Sequence, residues 1–129
     1  MTTIKRLPDA EFEIMQAAWQ LEPPVTSNML MEVLNRDGEK VWKPQTIHTL
    51  LGRLVDRGFL KTEKKGKERY FTPLIGRDQY LQFETRSFVK QYHNNSILNL
   101  VNTVYQGNSL SEDDIAELIK WADQRRDES

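Results

Sequence analysis

Apolar positions recur along this chain at two different spacings, and the change of spacing divides it into elements. Over residues 9–20, Phe12, Met15 and Trp19 repeat at intervals of three and four, with Ile14 and Ala18 flanking the same stripe, which predicts a helix. Pro8 and Asp9, with Glu11 and Glu13, suit its positive amino end, and Glu22-Pro23-Pro24 stops it. A second short helix starts near Thr26-Ser27, either of which can cap it, buries Leu30, Val33 and Leu34, and closes in a turn over 35–38. The third helix opens at Pro44 and ends at Gly58, where a left-handed cap is expected. Between them Ile47, Leu50, Leu51, Leu54 and Val55 form one complete apolar stripe. The period then drops to two. Residues 59–64 and 67–72 read as extended segments around Lys65-Gly66, giving a β-hairpin tipped by Lys64, Lys65, Gly66 and Lys67 and stopped at Pro73.

The order of three helices and a basic hairpin predicts a winged helix-turn-helix domain over 1–74. Beyond it the character changes. Residues 78–93 carry Tyr80, Leu81, Phe83, Phe88, Val89 and Tyr92, more aromatic surface than one exposed helix tolerates. Asn94-Asn95 breaks that helix, and Ile97, Leu100, Val101, Val104 and Tyr105 form another stripe ended by Gly107-Asn108. Ser111 and Asp114 make a capping-box pattern with Leu110 placed as a staple, and Ile115, Leu118, Ile119 and Ala122 continue the apolar face. These stripes have no second layer of their own within the chain. Burial against a symmetry mate is the economical solution, so a homodimer is expected. Its surface is drawn from Phe83, Phe88, Tyr92, Ile97, Leu100, Val101, Val104, Tyr105, Ile115, Leu118 and Ile119. The fold class is therefore mainly α with a small β-hairpin, a winged-helix domain followed by a helical dimerisation region over 75–129.

Charge changes this picture locally rather than globally. The 129 residues carry a formal net charge of −1, yet residues 1–71 hold 12 basic and 10 acidic side chains against 6 and 9 in the remainder. Within 40–69 there are 9 basic residues and 3 acidic ones, a net of +6. Such a field suits a phosphate-facing surface, and a solvated lysine-rich loop would look the same by charge alone. The absence of cysteine excludes a disulfide framework, a thiolate metal site and a cysteine nucleophile. His48 and His93 are the only histidines and stand far apart, so neither a metal nor a cofactor is expected. No nucleophile motif or glycine-rich phosphate loop suggests an enzyme. Without a long apolar run or a charged-then-apolar amino terminus, the chain reads as cytoplasmic, with no membrane partner.

The third helix is where chemistry concentrates. Opposite its apolar stripe lie Gln45, Thr49, Gly52 and Asp56, flanked by Thr46, His48 and Arg53, a small and polar face with few long acids. Gln45 can pair with adenine through N6 and N7, and Thr46 or Thr49 can offer a methyl group to thymine. Lys64, Lys65, Lys67 and Arg69 suit phosphates, which give affinity but little sequence information. Gly52 either permits a close approach of DNA or costs the helix about 1 kcal/mol with no visible return. Trp19 reads as core, Trp42 as packing or a backbone contact ahead of the third helix, and Trp121 as core or dimer contact. Two other functions remain open: a winged-helix module that binds protein, and a regulator whose tail senses a ligand.

The run from Asp9 to Met15 followed by Trp19 resembles the first helix of the penicillinase repressor family, the BlaI/MecI-type winged-helix regulators. The run Trp42-Lys43-Pro44-Gln45-Thr46-Ile47-His48-Thr49-Leu50-Leu51-Gly52-Arg53-Leu54 is similar to that family's recognition helix, and Gly58-Phe59-Leu60, the lysine-rich hairpin and Leu110-Ser111 follow in order. The resemblance implies a dimeric transcriptional repressor on palindromic double-stranded DNA operators, often with TACA/TGTA-like half-sites. It places the DNA-facing residues at Lys43, Gln45, Thr46, His48, Thr49 and Arg53. Two features depart from the family. Antibiotic-resistance members are cut by a regulatory protease at an Asn-Phe bond, and the corresponding bond here is Thr103-Val104, which leaves such a partner open. Copper-responsive members use a cysteine-rich motif that this chain lacks.

Overall fold

A computed structural model describes residues 4–36 and 40–128. The chain runs α1 (Asp9–Trp19), α2 (Ser27–Arg36), α3 (Pro44–Asp56), β1 (Leu60–Lys65), β2 (Glu68–Pro73), α4 (Arg77–Tyr92), α5 (Ile97–Gln106) and α6 (Glu112–Glu128). The turn expected over 35–38 falls partly outside the described residues. The elements gather into two compact units, 1–84 and 85–129. The boundary expected at 74/75 falls just before α4, and the units divide ten residues later, inside that helix.

In the first unit the apolar faces of α1, α2 and α3 close on one core, with Ile14, Met15, Leu30, Ile47, Leu51 and Leu54 buried in it. Thr26 Oγ1 accepts the Met29 N–H at 3.2 Å and caps α2. Gly58 adopts φ 82°, a left-handed conformation that ends α3 and turns the chain into β1. The hairpin pairs Leu60 with Pro73 through to Lys65 with Glu68, and Gly66 at φ 63° makes the tight connection. Val25 adds a bridge that its sequence context did not reveal, exchanging two 2.8 Å backbone hydrogen bonds with Phe71 and tying the start of α2 to the hairpin.

Tyr80 is completely buried here rather than in the tail. Its hydroxyl accepts the Leu7 N–H at 2.7 Å, and Phe12, Trp19, Phe59 and Phe83 ring it with centroids 5.6–6.2 Å away. Phe83, read from sequence as part of a pairing surface, thus packs half-buried against the winged-helix core. Its position one turn after Tyr80 carries it to the same side of α4. Trp19 is core-packed and donates Nε1–H to the Ile75 carbonyl at 3.0 Å. Glu11 is buried as well, and Arg57 at the end of α3 meets it at 3.1 Å.

The second unit buries little. Val89 and His93 are its buried side chains among the described residues, and His93 Nδ1 lies 2.7 Å from Asn99 Oδ1 across the α4–α5 corner. Asn94 and Asn95 take positive φ there, and Ser96 accepts the Asn99 N–H to cap α5. Ser111 and Asp114 exchange two 3.0 Å hydrogen bonds at the start of α6, and the Ser111 backbone N–H, with its hydroxyl second, holds the Asp114 carboxyl below its usual pKa. Leu100, Val101, Val104 and Ile115 are half-buried, whereas Phe88, Tyr92, Ile97, Leu98, Tyr105, Leu118, Ile119 and Trp121 stay 45–69% exposed.

Candidate nucleic-acid interface

The site is built on α3 because its apolar stripe is consumed by the core, which turns the remaining arc outward. Ile47, Leu51 and Leu54 are buried to within 1%, and Lys43, Gln45, Thr46, His48, Thr49, Gly52 and Arg53 are all exposed. Pro44 occupies the first turn, where its missing N–H leaves no bond unmade. The segment before it is pinned by Asn35: its Oδ1 accepts the Trp42 N–H at 2.7 Å and its Nδ2 donates to the Trp42 carbonyl at 3.4 Å. Trp42 is buried under Lys40, whose ammonium stands 4.4 Å from the ring, so it packs the entry to α3.

Two depressions flank the exposed ridge of α3. One is a shallow groove along the helix lined by Lys43, Pro44, Gln45, Thr46, Thr49, Leu50 and Arg53. Thr49 Oγ1 donates to the Gln45 carbonyl at 3.0 Å, which turns the hydroxyl onto the helix and leaves the methyl group for an outside contact. Lys43 and Arg53 bracket the groove with positive charge, and among the described residues no acid lines it. The other is a cleft between α3 and the hairpin, where His48, Gly52 and Asp56 face Thr62, Lys67, Glu68 and Arg69. Ser27 at the start of α2 lies 3.1 Å from His48 Nε2 and fixes the ring at the cleft's edge.

The register of the hairpin separates cations that the sequence groups together. Leu60 and Phe71 are buried, so the alternating positions Thr62, Lys64 and Arg69 share the face turned towards α3. Arg69 also donates to Thr62 Oγ1 at 3.4 Å. Lys65 lies on the opposite face with Glu63, its ammonium 5.9 Å from the Tyr70 ring, and Lys67 sits in the connection. All four cations are exposed. One residue not singled out as a contact joins the site. It is Ser27, which the sequence marked only as a cap candidate for α2.

Other singled-out residues belong to the second unit. His93 is buried in the second unit and bonded to Asn99, and among the described residues no three acidic or histidine side chains gather as a metal site. No described helix is long and apolar enough to cross a membrane. Trp121 is exposed and stacks under Arg125 at 4.8 Å. The Thr103–Val104 bond lies inside α5, where Thr103 Oγ1 donates to the Asn99 carbonyl at 2.9 Å.

Comparison with known proteins follows this geometry. The profile of a family described as penicillinase repressor matches residues 7–124. A penicillinase repressor of Bacillus licheniformis is 28% identical over 126 residues, covering 98% of this chain and 96% of the relative. The methicillin resistance regulatory protein MecI of Staphylococcus aureus strain N315 is 28% identical over 109 residues, covering 84% and 86%. Among solved structures, the DNA-binding domain of the repressor BlaI superposes with a TM-score of 0.51 at 32% identity, covering 62% of this chain and 94% of that domain.

Proposed function

The chain belongs to the penicillinase repressor family, and from that premise we propose that it acts as a homodimer that represses transcription by reading a palindromic operator. It is a DNA-binding transcriptional repressor of the winged-helix type. The observation that carries the reading is the outward arc of α3, a groove that pairs hydrogen-bonding Gln45 and Thr46 with flanking Lys43 and Arg53 and holds no acid among the described residues. A protein-binding face would be apolar at its centre.

Division of labour follows from the chemistry. Gln45, Thr46 and Thr49 reach base edges in the major groove, and His48 and Arg53 meet its margins. Lys64, Lys67 and Arg69 neutralise phosphates beside them, with Lys65 as a more distant charge. The helices after the hairpin pair two copies, which accounts for Ile97, Tyr105 and Ile119 standing more than half exposed on a single chain. Pairing links two weak half-site contacts into one tight one through effective concentration. Work of this kind needs no catalysis and belongs in the cytoplasm, where the operator is.

Fluorescence anisotropy on a duplex from upstream of the protein's own gene, beside a shuffled duplex at two salt concentrations, tests the reading. Selective binding to the upstream duplex is expected. In the same assay Gln45→Ala combined with Thr46→Ala lowers operator affinity by roughly tenfold or more and leaves binding to the shuffled duplex nearly unchanged, because base contacts specify and phosphate contacts do not. Weak wild-type binding that is equal on both duplexes and vanishes with salt would reduce the surface to a charged patch.

A further inference from the structure

Gly52 sits in the middle of α3 with no use inside the chain. Its φ is not in the left-handed range that requires glycine, unlike Gly58 and Gly66. A Cβ built on it meets no atom within 4 Å, so packing does not exclude a side chain either. Gly107, by contrast, would bring a Cβ to 3.6 Å from the Thr103 carbonyl oxygen. Glycine nevertheless weakens a helix interior relative to alanine, since it frees the unfolded backbone and removes a stabilising methyl. The position is exposed, between His48 and Asp56 one turn either side, and it forms the α3 wall of the cleft opposite Thr62 and Arg69. A residue that the fold neither needs nor favours, placed on the binding ridge, points to a surface that must come closer than a side chain permits.

We propose that the DNA sugar-phosphate chain passes against the bare backbone of α3 at Gly52, and that the missing Cβ sets how deeply α3 enters the major groove. The inference rests on α3 being the helix that reads DNA. The contact is steric rather than ionic: in this cleft Lys67 and Arg69 are balanced by Asp56 and Glu68, and Leu51, Val55 and Phe71 supply apolar atoms between them. That mixture suits a deoxyribose edge with its flanking phosphates better than a lone anion. A methyl group at residue 52 would hold the backbone away and lift Gln45 and Thr49, which lie on the same side of the helix, from the bases.

The test uses the full chain and a duplex enriched by the wild-type protein from a randomised pool. Gly52→Ala is expected to raise Tm by about 4 °C, through helix propensity, while weakening binding to the enriched duplex by roughly tenfold. Gly52→Leu, longer at the same point, weakens it further. The slope of affinity against salt stays that of the wild type, because no charge has been removed. Unchanged operator affinity in Gly52→Ala, with wild-type selectivity intact, overturns the inference alone. A lowered Tm also overturns it, since glycine would then serve the fold. Failure of the wild-type chain to enrich any duplex overturns the DNA reading and the inference together.

Discussion

Tyr80 shows how much one side chain's surroundings decide. Burial pushes its hydroxyl up to about 12 from 10.0, with the Glu84 carboxylate adding to the rise and the Leu7 N–H opposing it. A folded-state pKa above the unfolded one means that the neutral hydroxyl stabilises the fold fully below pH 10, and that this contribution fades as pH rises from 10 towards 12. Urea midpoints should therefore fall between pH 8 and pH 11 by more in the wild type than in Tyr80→Phe. The variant starts about 1 kcal/mol less stable at pH 8, because the Leu7 N–H loses its acceptor. Equal losses in both proteins would mean that another group governs the alkaline limit. The sequence marked Tyr80 as apolar and helical but could not say which core it enters, since a stripe on α4 serves either unit equally well. Glu11 was legible as an acid near a helix start, and its burial against Arg57 depends on a residue 46 positions away.

At the scale of elements, periodicity was a sufficient guide wherever a helix or strand has one wet face. The boundaries of α1, α3 and α6 follow from Pro8, Pro44, Gly58 and the Ser111–Asp114 box, because these residues satisfy or relinquish backbone groups locally. The bridge from Val25 to Phe71 was not legible, as a single pair leaves no periodic trace. The hairpin teaches a related lesson. Charge counting treats Lys64, Lys65, Lys67 and Arg69 as one cluster, and the pleat divides them, with Arg69 facing α3 and Lys65 facing away beside Glu63. Arg69→Ala should accordingly reduce the slope of log affinity against log salt by about 0.9, one phosphate's worth, and Lys65→Ala by clearly less. Equal reductions would show that the strand face does not govern which cation reaches the backbone.

On the scale of the whole molecule, the second unit is nearly all surface, and that sets the terms for testing how it is covered. The stripes on α5 and α6 were plain in the sequence, but one chain's pattern cannot record what lies across from it. A charge at a half-buried position such as Val101 would damage the unit itself as well as any interface, so its effects would be mixed. Ile119 separates them. It is 59% exposed on the single chain, hence Ile119→Asp leaves each copy's fold intact, with helical circular dichroism unchanged, while burying an unpaired carboxylate in the dimer. Sedimentation at micromolar concentration should then show a monomer where the wild type shows a dimer. Operator affinity should fall by roughly a hundredfold or more as the second half-site's effective concentration is lost, with binding to an isolated half-site preserved. A variant that remains dimeric would place the interface elsewhere on the exposed apolar surface. A monomeric variant with full operator affinity would mean that one copy reads the whole operator, against the palindrome.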